Sequence, residues 1–296
     1  MSKKIILLIL IVVFVVWIVF VPKTFSSQEQ VIFKIEKGVG SKEIASGLEK
    51  EGLIRWSSLF RLYVLTIGKA EKLQAGTYQI SSSLSIFQIA RKFASGDIAT
   101  VKITIPEGFG AKKIQARIKN ALGLDITDLE NHEGYLFPDT YEVSLEASSE
   151  EVRQMMLDNF ERKTEGLAIT PKIVIMASLI EKEVQNREDK EIVSGIFWKR
   201  IELGKPLESC ATIAYIKGED QWRYSFQDTR IDSPYNTYLH YGLPPGPICN
   251  PGLESIEAAL NPKNTDFWFW LSTPEGETIF SQTLEEHNYA KSIYLK

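Results

Sequence analysis

The stretch Ile173-Val174-Ile175-Met176-Ala177-Ser178-Leu179-Ile180-Glu181-Lys182-Glu183-Val184 sets how the chain is read. Eight residues, seven of them apolar, run into Glu181 with no turn residue between. Pro171 stands just ahead, at a favoured first-turn position. A helix apolar almost all round belongs in a core. A carboxylate at the end of such a segment loses water, which disfavours its charged form. The segment is therefore expected to carry an acid catalyst into a cleft, its proton held by apolar surroundings.

Glu181 and Glu183 are both candidates. At about 100° per residue they point to nearly opposite sides of the helix. They cannot both face one cleft, so they are not the paired carboxylates of an ordinary glycosidase. Periodicity does not separate them, and either could instead be an ion-pair partner of Lys182 or Arg187.

Helical spacing is also predicted from Ser149 to Arg162, from Asp189 to about Leu203 with Ile192, Val193, Ile196 and Phe197 on one face, and from Leu253 to Leu260. Phe267 to Leu271 reads as a strand, and Thr278-Ile279-Phe280 as its hairpin partner across Pro274-Glu275-Gly276. Gly242-Leu243-Pro244-Pro245-Gly246-Pro247-Ile248 forbids a helix and demands defined turns. Nearer the N-terminus, three strand–turn–helix units recur: Val31–Ile35 then Ser41–Leu48, Gly76–Ile80 then Ser85–Phe93, and Val101–Ile105 then the face of Ile114 and Ile118. Such units bury their apolar faces on one another, so residues 31 to about 125 form a small α+β domain, either a packing scaffold or a glycan-binding module. Strands and helices mix without βαβ regularity, and the class is α+β.

Thr24 to Gln30 reads as a linker. Ile5 to Val21 is seventeen residues without a charge, just long enough to cross a bilayer. Lys3 and Lys4 precede it, which places Met1 in the cytoplasm and the rest of the chain outside. The rival is a cleaved signal peptide, against which stand the length of the run and the lack of a small-x-small cleavage site. A net charge of -4 gives no support for nucleic-acid binding. His132, His240 and His287 show no metal-ligand spacing, and no cofactor is implied. Cys210 and Cys249 could pair in an oxidising compartment or stay as thiols.

Tyr135, Phe137, Tyr141, Tyr235, Tyr238 and Tyr241 cluster in two Gly/Pro-containing segments. Sugar rings pack flat C–H faces on aromatic planes, and their hydroxyls need partners such as Asn236, Thr237 and Glu133. For Phe137 and Tyr141 a core position is the better reading. Asn236, between tyrosines and ahead of the Pro-Pro turn, is harder to explain as core.

The segments Glu133-Gly134-Tyr135-Leu136-Phe137-Pro138-Asp139-Thr140-Tyr141, Ala177-Ser178-Leu179-Ile180-Glu181-Lys182-Glu183, Tyr235-Asn236-Thr237-Tyr238, Gly242 to Ile248 and Pro251-Gly252, in this order, resemble the YceG-like (MltG) endolytic murein transglycosylases. The Leu73–Tyr78 strand, the apolar N-terminus and the three small units look similar too, so the resemblance spans essentially the whole chain. It implies an anchor over 1–23, a linker over 24–30, a LysM-like α+β domain over 31–125 and a catalytic domain over 126–296. It implies Glu181, the first of the Glu-Lys-Glu triplet, as the catalytic acid, and cleavage of the β-1,4 bond between N-acetylmuramic acid and N-acetylglucosamine with closure of a 1,6-anhydro ring. The substrate's own C6 hydroxyl is then the nucleophile, which accounts for a lone catalytic Glu. Tyr235, Asn236, Thr237, Tyr238 and Glu133 are expected to contact or position the sugar. Expected partners are peptidoglycan strands, the cytoplasmic membrane and peptidoglycan synthases. The alternatives are a non-catalytic wall-binding or divisome scaffold and a water-using muramidase. One departure stands out: Ser209-Cys210-Ala211-Thr212 occupies the place where many members carry Asp-Pro, so no carboxylate role carries over there.

Overall fold

The protein is described by a computed structural model covering residues 5–6, 14, 17–25, 29–218 and 224–295. The span expected over Ile5–Val21 lies mostly outside them. Among the described residues no helix is long and apolar enough to cross a membrane. Residues 17–20 are helical, with Ile18 and Val19 buried.

The chain divides into two units, Met1–Val101 with Val143–Ala147, and Lys102–Glu142 with Ser148–Lys296. In the first, β1 (Val31–Ile35) and β2 (Gly76–Ile80) pair antiparallel, with Val31 opposite Ile80 and Ile35 opposite Gly76. Alternation along these strands sends Phe33, Ile35, Tyr78 and Ile80 inward. Three helices cover that face: α1 (Ser41–Lys50), α2 (Ser57–Thr66) and α3 (Ile86–Ser95). Ser85 and Gln88 close a capping box at the start of α3. The core centres on Phe93, whose ring lies 4.6 Å from Tyr78, 5.8 Å from Phe33 and 6.4 Å from Phe60.

The third expected strand–helix unit does not stay with the first two. Strand β3 (Thr100–Thr104) pairs with β4 (Thr140–Ser144), and the division between units falls within these strands. The following helix, α4 (Ala111–Leu122), belongs to the second unit, so the contact boundary lies near residue 101 rather than 125.

The second unit adds α5 (Ser149–Lys163), α6 (Pro171–Glu183), α7 (Arg187–Glu202), α8 (Cys210–Lys217) and α9 (Leu253–Leu260). It ends in the hairpin β5 (Phe269–Ser272) and β6 (Thr278–Ser281), followed by α10 (Leu284–Tyr294). The decisive stretch is α6. Thr170 caps it, Pro171 opens it, and every residue from Val174 to Ile180 is buried. It packs against α7 and α9.

Gly195, inside α7, lets the chain at Lys263 come close. A Cβ there would overlap the Lys263 carbonyl oxygen, a backbone atom that cannot step aside. Gly195→Ala should therefore lower the melting temperature, although helix propensity alone favours Ala by about 1 kcal/mol. A rise in melting temperature by calorimetry would contradict this packing.

Candidate active site

Glu181 leaves α6 in its last turn, with its side chain 8% exposed. Its Oε2 accepts hydrogen bonds from the Gly252 N–H at 3.0 Å and the Ser255 hydroxyl at 2.6 Å. The Lys190 ammonium, on α7 and 2% exposed, lies 3.5 Å from the same oxygen. Gly252 and Ser255 belong to the N-terminus of α9, where unpaired N–H groups and the helix dipole favour negative charge. The purely apolar setting expected from sequence is corrected here. Helix α6 is greasy along its length, but its terminal carboxyl emerges among donors, because a buried carboxylate without partners is too costly to keep.

Glu183 points the other way, as the helical geometry requires. It accepts the Ser209 hydroxyl at 2.5 Å and is further bonded by Trp270 and the Ala211 backbone. Burial pushes its carboxyl up, and the nearby Arg200 charge works against that. Arg200 in turn donates to the carbonyls of Leu207 and Trp268. Glu183 thus ties α6 to α8 and β5.

A groove of about 360 Å³ runs beside this helix end. Gly108, Gly110, Lys112, Lys113, Glu130, Glu133, Lys182, Tyr215 and Tyr235 are among its walls. Glu181 lies behind its wall at Gly108, where an added Cβ would meet Glu181 Cγ and Lys182 Cδ at 3.6 Å. Tyr235 and Tyr215 form an aromatic corner, ring centroids 4.8 Å apart. Burial, followed by the neighbouring Tyr235, holds the Tyr215 hydroxyl well above the usual phenol range.

The sequence candidates separate by position. Glu133 lies in the groove wall. It accepts the Ala111 N–H at 2.9 Å, capping α4 from a distance, and the Asn250 amide at 2.7 Å. Burial outweighs these bonds and pushes its carboxyl up to about 7. Tyr235 also faces the groove. Asn236 and Thr237 do not, being buried among protein partners. The Asn236 amide donates to the carbonyls of Thr229 and Ile231 and accepts the Tyr238 N–H. The Thr237 hydroxyl accepts the Ser209 N–H at 3.0 Å. Direct sugar contact, expected of both, gives way to bracing the Tyr235 loop, since their polar atoms already have partners. The Tyr238 hydroxyl meets Cys210 Sγ at 3.0 Å, and burial first of all holds it well above its ordinary range. Cys249 Sγ donates to the Ser178 carbonyl instead, so the two cysteines are not bridged.

Sequence reading missed Lys190, Ser255 and Asn250. Lys190 carried a signal, since it sits three and seven residues before Val193 and Phe197 on the apolar face of α7, where a lysine requires a carboxylate. Asn250 is fully buried. It donates to the Phe109 carbonyl and Glu133, and accepts the N–H groups of Gly134 and Leu136. Among the described residues no cluster of His, Cys, Asp or Glu is arranged to hold a metal ion.

Fold and site together define an α+β protein with a shielded, donor-held carboxyl beside an aromatic-cornered groove. Residues 33–292 match the model of the YceG-like family, and the chain belongs to that family. It is 32% identical to an endolytic murein transglycosylase of Bacillus subtilis, over 93% of this chain and 87% of that one. A Streptococcus pneumoniae protein of the same name is 27% identical over 90% of this chain, which spans 59% of its length. The crystal structure of a YceG-like protein from Listeria monocytogenes superposes with a TM-score of 0.58 at 30% identity, covering 90% of this chain and all of that one.

Glu133 makes the site pH-dependent in a defined direction. Its folded pKa is raised from 4.5 to about 7, so the folded state binds the proton more tightly. That contribution to stability is present at low pH and is lost as pH rises from 4.5 to about 7. Glu133→Gln should flatten the decline in melting temperature across that window. An unchanged slope would show that Glu133 does not titrate there.

Proposed function

We propose that this protein is a membrane-anchored endolytic lytic transglycosylase of peptidoglycan. It cleaves the β-1,4 bond between N-acetylmuramic acid and N-acetylglucosamine in nascent strands and leaves 1,6-anhydro-muramyl ends. Family membership and the names of the relatives support the reaction class. The observation that carries the assignment to a residue is the Glu181 carboxyl, shielded and anchored at the groove wall.

Glu181 protonates the departing glycosidic oxygen. The bond from the anomeric carbon to that oxygen breaks, and the C6 hydroxyl of the same sugar closes on the anomeric carbon. Its proton returns to the carboxylate, so one group serves as acid and then base. Because the nucleophile belongs to the bound sugar, closure is intramolecular and gains from proximity. Tyr235 and Glu133 contact the sugar from the groove walls, while Asn236, Thr237 and Tyr238 position the Tyr235 loop.

The apolar run over 5–21 is the anchor, the part of the first unit from residue 31 onward the LysM-like module, and the second unit, Lys102–Glu142 with Ser148–Lys296, the catalytic domain. The active side is then outside the cytoplasmic membrane, where peptidoglycan synthases are natural partners.

Glu181→Gln should lower glycan release by roughly 10²–10⁴-fold, with anhydro-muramyl ends from the wild type by mass spectrometry. Reducing ends instead would make the protein a water-using muramidase. Release unaffected by the substitution would remove Glu181 from the chemistry.

A further inference from the structure

A second carboxyl stands at this centre. Glu107 lies on the turn after β3, and the turn is clamped to the chain before α9. The Gly108 N–H donates to the Asn250 carbonyl at 2.9 Å, and the Asn250 N–H to the Phe109 carbonyl at 3.0 Å. This places the Glu107 carboxyl against Gly252, whose N–H holds Glu181. A Cβ on Gly252 would overlap Glu107 Oε1 and lie 2.8 Å from Oε2. Gly252 has φ -75, which any residue adopts, so space for this carboxyl, and not backbone conformation, calls for glycine. Glu107 is also exposed, whereas Glu181 is nearly enclosed.

We infer that Glu107 is a positioning residue of this centre, governing proton transfer at Glu181 from the other side of Gly252. The inference rests on the lytic reading above. Charge counting supports it. The buried Lys190 ammonium can balance one carboxylate, and a second beside it is favoured in its protonated form. Although Glu107 is exposed overall, the partial loss of water where it packs on Gly252, then the Glu181 charge, raises its carboxyl, Glu254 on α9 adds to this, and Lys190 opposes it. A proton taken up by the pair is thus favoured on Glu107, because the Glu181 carboxyl is held by donors. In the reaction the pair gives that proton to the departing oxygen and recovers one from the C6 hydroxyl, so no proton is consumed. Glu107 acts through Glu181 and is a positioning residue.

The test compares wild type, Glu107→Gln, Glu107→Asp, Gly252→Ala and Glu181→Gln on polymeric glycan strands across pH. An ionised Glu107 opposes loss of the last proton from the pair, so removing it lets that proton leave at lower pH. Glu107→Gln should move the alkaline limb of the kcat profile to lower pH and reduce kcat roughly tenfold at a fixed pH on that limb. KM and the anhydro product should stay unchanged, and Glu107→Asp should move the limb part of the way back. Gly252→Ala keeps both carboxyls but displaces Glu107, and should reproduce the shift with unaltered melting. It decides the matter should Glu107→Gln fail to fold. A profile superimposing on wild type overturns the role of Glu107 alone if Glu181→Gln is inactive. An active Glu181→Gln overturns the functional reading itself.

Discussion

The site depends on how α6 ends. Seven consecutive buried residues bring the chain to two carboxylates that cannot stay in a core without donors. Because they leave the helix on opposite sides, each recruits a different part of the fold. Glu181 draws in the N-terminus of α9 and Lys190 of α7. Glu183 draws in Ser209 and Trp270. The helix is gripped from both flanks at its last turn, and the groove lies beside that grip.

Much of the frame could be read from the chain. The run from Ile173 to Ile180, the Pro171 start and the apolar face of α7 are local signals, and the observed helices follow them. The hairpin around Gly276 was equally legible, since its turn chemistry sits between two apolar runs. Helix α2 was not, because Leu59, Phe60, Leu62, Val64 and Leu65 leave no clear face and Trp56 caps nothing. Helix α8 lacks a side-chain cap at Ser209. By contrast, α10 does carry a capping box, Thr283 with Glu286, a signal available but unread.

The site was legible only in part, for a physical reason. Sequence periodicity reports burial along a helix but not which distant groups will meet its end. Besides Lys190, the donors to Glu181 come from residues 71 and 74 positions further on. Hence the apolar surroundings expected for Glu181 gave way to polar ones, while burial shifts Glu133 up to about 7 in the groove wall. Asn236 shows the same limit, since only coordinates reveal that Thr229 and Ile231 already occupy its amide.

Asn250 shows how the arrangement is kept. One uncharged amide fastens the Phe109 turn, the Glu133 wall and the Gly134–Leu136 loop, and its own backbone leads directly to Gly252. An amide neither gains nor loses a proton over the working range, and ionic strength hardly weakens its bonds. The Glu133 carboxyl and the turn that carries Glu107 are therefore mounted on a joint whose own charge never changes.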